Sequence, residues 1–180
     1  MDTQQVSHGP LAGITVVDVS SAVAGPWVSS WLAELGAEVI FIEKVGVPDV
    51  MRMTGAISGD QSGSWVHLHR NKRGMDLDIR SETGRDILLK LVAQADVFVQ
   101  NFRPGVVERL QIDYPALSAL NPELVYLSVS GFGPDGPYAD RPVYDPIIQA
   151  LSGMTEAQNG TYVKAVVADK RSDERRVGKE

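Results

Sequence analysis

The stretch Asp96-Val-Phe-Val-Gln-Asn-Phe-Arg-Pro-Gly105 ends an apolar run in groups able to hold an anion that also carries a ring. Gln100 and Asn101 offer amides, Phe102 a ring face, Arg103 a guanidinium, and Pro104 a residue suited to opening a helix. Ligands of parallel sheets bind just past the carboxyl ends of strands. The stretch also reads as an ordinary strand-to-helix turn, but comparable groupings recur. After Ile14–Val19 come Ser20, Ser21 and Gly25-Pro26, whose backbone N–H groups at a helix start suit a phosphate or a plain cap. Lys44 follows the run Glu38–Glu43, to meet a phosphate or water. His69-Arg70-Asn71-Lys72-Arg73 is a basic patch that reads as an anion site or a solvated loop. His67 and His69, two apart, would share a face on a strand, and no further metal ligand accompanies them, so a structural or exposed pair is expected. Asp169, after Val163–Ala168, carries a carboxylate able to attack an activated acyl group, to cap a helix or to pair with a cation.

These groups need a scaffold, and the chain is long enough to supply one. It has 180 residues, 43% hydrophobic and 22% charged, which is globular. A net charge of −6 and a pI of about 5.1 argue against a nucleic-acid partner. With no cysteine there is no disulfide, thiolate metal site or cysteine nucleophile. No apolar run approaches the roughly 20 residues of a membrane span, and the first residues lack signal-peptide character. A cytoplasmic protein is expected.

Apolar runs alternate with helical spacing. Strands are expected at Ile14–Val19, Glu38–Glu43, Met75–Asp78, Asp96–Gln100 and Leu124–Ser130. Helices are expected at Ala24–Leu35 with Gly36 as stop, Ser81–Gln94 with Ser81 as cap, Ala116–Leu120 and Tyr144–Met154. Residues 44–74, poor in periodicity, read as a long functional or mobile loop. The alternation predicts an α/β fold: a parallel, Rossmann-like sheet with helices on both faces. Gly131-Phe-Gly-Pro-Asp-Gly136 formally fits a dinucleotide fingerprint, but Pro134 and Pro137 forbid the helix that fingerprint must open, so it reads as a Gly/Pro loop.

Taken in order, several short segments resemble the class III coenzyme A transferases, the CaiB/BaiF family. They include Pro10-Leu-Ala-Gly-Ile-Thr-Val-Val-Asp18, Ala24-Gly-Pro26, Leu35-Gly-Ala-Glu-Val-Ile40, Asn71-Lys-Arg73 with Leu77-Asp78, and Asn101-Phe102 with Pro104-Gly105. Ser130-Gly-Phe-Gly133 and Tyr144-Asp-Pro-Ile-Ile-Gln-Ala150 complete them. The resemblance runs from about Gly9 to Asp169 and implies that residues 1–170 form the N-terminal segment of the family's large domain.

That resemblance implies transfer of CoA from an acyl-CoA to a carboxylic acid acceptor through an aspartyl intermediate, with Asp169 as the catalytic residue. It implies no tightly bound cofactor and no metal, CoA and acyl-CoA being substrates. It places Ser21, Ala22, Val23 and Ala24 along the CoA. Lys44, Arg80 and Arg109 fall near its phosphates with Leu77 beside them, Asn101 and Phe102 along the adenine-pantetheine channel, and Tyr144 near the acyl group. Some members carry histidine and glutamine near the positions of Ser21 and Val23; this chain does not. Related α-methylacyl-CoA racemases carry a histidine where this chain has Tyr144, which ranks the transferase above the racemase; a non-catalytic CoA-binding fragment is the other alternative. Residues 171–180, Arg-Ser-Asp-Glu-Arg-Arg-Val-Gly-Lys-Glu, read as a charged, disordered tail foreign to the family. Because family members continue into a longer C-terminal half, the expectation is a truncated chain with impaired activity that forms a homodimer by covering exposed apolar surface.

Overall fold

In the computed structural model, which describes residues 9–157, the apolar runs become the strands of one parallel sheet. β1 is Thr15–Asp18, and α1, Ala24–Glu34, follows it. Gly36, with φ +101°, ends α1: its N–H donates to Ala33 and that of Ala37 to Leu32, the paired bonds that satisfy a helix's last carbonyls. β2 is Glu38–Glu43. A 3-10 turn at Val50–Met53 precedes a two-stranded hairpin of β3, Ile57–Ser58, and β4, Gln61–Ser62. α2, Gly63–His69, is capped by Ser62, whose hydroxyl accepts from the Trp65 N–H at 3.0 Å. β5 is Lys72–Asp76 and α3 is Glu82–Val92. β6, Val97–Gln100, leads through α4, Val106–Leu110, and α5, Tyr114–Leu120, to β7, Val125–Ser128. α6, Asp145–Leu151, and α7, Met154–Ala157, complete the described residues.

The strand order is β5-β2-β1-β6-β7, every pair parallel, so the order reverses between β1 and β6. Side chains alternate across the sheet and build a core on each face. Val17, Ile42 and Phe98 meet Leu88 and Val92 of α3 and Leu117 of α5 on one face. Val16, Val39 and Val99 meet Ala33 of α1 and Ala37 on the other. No described helix is long and apolar enough to cross a membrane.

Four expectations are corrected. The third strand is Lys72–Asp76 rather than Met75–Asp78. It is an edge strand, mostly exposed, so polar and glycine residues suffice and the apolar signal is missing. Residues 44–74 are not one loop: the 3-10 turn, the hairpin, α2 and the start of β5 all fall there, in elements too short to show periodicity. His67 and His69 lie on helix α2, where residues two apart do not share a face. His67 meets Trp27, while His69 stacks on Trp65 at 3.8 Å between ring centroids and meets Phe41 at 4.3 Å. The helix expected over Tyr144–Met154 breaks into α6 and α7 at Gly153, where φ is +78°. The run Val163–Ala168 lies outside the described residues.

Candidate functional site

A cavity of about 530 Å³ opens at the carboxyl ends of β1, β2, β5 and β6, beside the point where the strand order reverses. That is where an open α/β sheet receives ligands, and the volume lies within the range of small-molecule and cofactor sites. Val19, Ser20 and Ser21 form the wall after β1, Phe41 to Lys44 the wall at the end of β2, and Leu77 to Arg80 the wall after β5. Phe102, Val106 and Arg109 close it from beyond β6. Val47 to Val50, after β2, line it as well.

Six of the residues expected at a site line this cavity: Ser21, Lys44, Leu77, Arg80, Phe102 and Arg109. Lys44, Arg80 and Arg109 are exposed cations. Arg80 donates to Asp78 at 3.1 Å, which holds that carboxyl below the usual carboxylate range. Among the described residues Lys44 and Arg109 enter no ion pair. The wall therefore joins apolar surface to a rim where Lys44, Arg80 and Arg109 stand beside the carboxylates of Glu43, Asp49 and Asp78, with Lys44 and Arg109 available to an anionic group.

Asn101 and Ala22 to Ala24 sit behind the lining. Asn101 clasps Ser21 from both sides: its Oδ1 accepts from the Ser21 N–H at 2.9 Å and its Nδ2 donates to the Ser21 carbonyl at 2.8 Å. Ala22 holds a left-handed conformation, φ +61°, that an alanine rarely takes. Its N–H donates to Asp49 Oδ2 at 2.8 Å. Val23 and Ala24 begin α1. Phe102 is turned by Gln100, whose Oε1 accepts from the Phe102 N–H at 2.8 Å. Tyr144 precedes α6 with 71% of its surface exposed and is not among the cavity's lining residues. Asp169 lies outside the described residues.

The basic patch His69–Arg73 does not form an anion site. Arg70 pairs with Glu34 and Arg73 with Glu38. Lys72 turns inward to Asp18, and burial holds the His69 imidazole down to about 3, with the Lys72 charge adding to the effect. Long basic side chains on neighbouring elements find separate acids, which a linear reading does not reveal.

Residue reasoning also missed two carboxylates that brace the cavity wall, Asp18 behind it and Glu43 within it. Asp18, fully buried, accepts from the Ser20 N–H at 2.9 Å and from the hydroxyls of Ser20 and Ser29. Glu43 accepts from Arg52 through both oxygens, at 2.8 and 2.7 Å, and from the Asp49 N–H at 2.7 Å. Arg52 in turn lies 3.6 Å from the centre of the Trp65 ring. The available signal was a carboxylate at the end of each of two apolar runs, Asp18 and Glu43. Such an acid is either exposed or satisfied, and sequence does not distinguish these.

A family model described as CoA-transferase family III matches residues 11–169. The acetyl-CoA:oxalate CoA-transferase of Acetobacter aceti is 43% identical over 149 residues, covering 83% of this chain and 38% of that protein. The succinate–glutarate CoA-transferase of Agrobacterium fabrum is 37% identical over 169 residues, covering 88% and 42%. Among solved structures, a CaiB/BaiF family protein from Brucella suis superimposes with a TM-score of 0.83 at 33% identity, covering 94% of this chain and 49% of the other. The chain thus spans less than half the length of these relatives.

Proposed function

Because the chain belongs to CoA-transferase family III, we propose that it provides the CoA-binding wall and the nucleophile of an enzyme that moves CoA from an acyl-CoA to a carboxylic acid. The cavity carries this reading: apolar walls ending in Lys44, Arg80 and Arg109 match a pantetheine arm that leads to phosphates. Relatives named for oxalate and for succinate and glutarate support a small carboxylic acid as acceptor.

Asp169 is the proposed nucleophile. Its carboxylate attacks the donor thioester carbonyl, forming a mixed anhydride and releasing CoA thiolate. The thiolate attacks the aspartyl carbonyl, giving an aspartyl-CoA thioester and freeing the donor as carboxylate. The acceptor carboxylate attacks that thioester and again expels the thiolate, which takes the acceptor acyl group and returns Asp169 to its starting form. Each step exchanges one acyl bond for another, so the electrons balance without a redox partner. The polar amides and cations of the wall hold CoA while its thiolate waits.

Incubation with acetyl-, succinyl-, formyl- and oxalyl-CoA, followed by mass spectrometry of the peptide containing Asp169, tests this. A CoA thioester on Asp169, absent from Asp169→Ala, is the expected result. Unmodified Asp169 with every donor, or an equal adduct in the variant, refutes it. A homodimer is also proposed, through edge strand β7, where Val125 is 61% exposed among the described residues.

A further inference from the structure

Asp18 and Lys72 lie behind the cavity wall, with side chains 0% and 1% exposed. A buried pair of opposite charges is a weak device for stability, because desolvation offsets most of the attraction. This pair has another distinguishing property: every hydrogen-bonding position on it is used. Lys72 Nζ donates to the Pro26 carbonyl at 2.8 Å, to Ser29 Oγ at 2.7 Å and to Asp18 Oδ2 at 3.5 Å, which accounts for all three of its N–H groups. Asp18 Oδ2 also accepts from the Ser29 hydroxyl, and Oδ1 accepts from both the N–H and the hydroxyl of Ser20. One carboxylate oxygen is thus anchored to Lys72 and α1, and the other grips the first residue of the turn that forms the cavity wall.

The rest of the turn is held from two other directions. Asn101 clasps Ser21, and Asp49 holds the N–H of Ala22 in its unfavourable conformation. Such a conformation persists where the surroundings over-determine it. The first turn of α1 also closes tightly on Ser20: a Cβ on Gly25 would lie 2.2 Å from the Ser20 Cβ. The pair therefore joins edge strand β5, the start of α1 and the end of β1 behind a single turn.

We propose that Asp18 and Lys72 are positioning residues that hold the Ser20–Ala22 turn in the shape that receives CoA, Lys72 fixing one side of the Asp18 carboxylate so that the other side fixes the turn. The purpose assigned to the turn rests on the CoA site proposed above; the positioning itself does not. Amide hydrogen exchange on the 180-residue chain, with calorimetric titration of CoA alongside, tests both parts separately. In Lys72→Met, in Asp18→Asn/Lys72→Met and in the milder Ser20→Ala, exchange at Ser20–Ala22 should quicken about tenfold while Val17, Leu88 and Phe98 keep their rates, and the CoA Kd should rise about tenfold in proteins that remain fully folded. Exchange that rises evenly through β1, β6 and α3, or stays unchanged at the turn, overturns the proposal, since a merely stabilising pair would act on the whole sheet. Quickened turn exchange at an unaltered CoA Kd overturns its link to binding. Should Lys72→Met fail to fold, Ser20→Ala and Ser29→Ala decide the matter, each removing one hydroxyl and no charge. A wild-type chain that fails to bind CoA refutes the CoA reading, while the exchange pattern still decides the positioning.

Discussion

His69 shows how one residue's surroundings set a pH response. It stacks on Trp65, touches Phe41, and both ring nitrogens are buried with no hydrogen-bond partner among the described residues. Burial disfavours its charged form, and the Lys72 cation disfavours it further, so its pKa falls from 6.5 to about 3. An unfolded chain binds that proton more readily than the folded one. The stability held in the neutral ring is therefore complete above pH 6.5 and is lost as pH falls towards 3. Chemical denaturation between pH 7 and pH 4 should show wild-type stability falling more steeply than that of His69→Phe, which keeps the stack without the proton site. Parallel slopes would show that the imidazole titrates as it does in water.

At the scale of the element, α3 shows which features of a helix matter. Leu88 is fully buried against the sheet, whereas its neighbour Ile87 is 36% exposed. Leu88→Ala should cost roughly 2–5 kcal/mol by urea denaturation, the range for a buried leucine that leaves a cavity. Ile87→Ala should cost less than half as much. The Ser81 hydroxyl accepts from the Gly84 N–H at 3.0 Å, and Ser81→Ala should cost about 1 kcal/mol, as loss of a cap does. Gly84 is required by packing rather than by backbone freedom, since a Cβ there would lie 2.0 Å from the Asp78 carbonyl oxygen. The helix is thus specified by an apolar stripe, one hydroxyl and one missing side chain.

At the scale of the molecule, the sheet leaves its β7 edge uncovered among the described residues, with Val125 61% exposed. An open edge strand with an exposed valine favours association. Val125→Lys should reduce concentration-dependent association in sedimentation velocity while changing stability by no more than about 0.5 kcal/mol, as expected of a surface position. Association that is unaltered by the lysine would place the self-contact elsewhere. The opposite edge behaves differently: β5 carries Arg73 paired with Glu38, and its Lys72 is drawn inward.

The amino-acid sequence alone determined the alternation of strands and helices. β1, β2 and β6 fall within a residue or two of their expected bounds, because each is buried on both faces and so reads as a continuous apolar run. It also determined which turns carry polar groups, since capping and strand-end chemistry are local. Periodicity could not reveal β5 or α2: an edge strand needs no apolar pattern, and a seven-residue helix shows less than two periods of one. Tertiary structure alone decided which charges meet. Lys72 and Asp18 are 54 residues apart, and Asn101 and Ser21 are 80 apart. Only the folded sheet, by laying strands from distant parts of the chain side by side, turns a basic patch into separate ion pairs and gathers Lys44, Arg80 and Arg109 around one cavity.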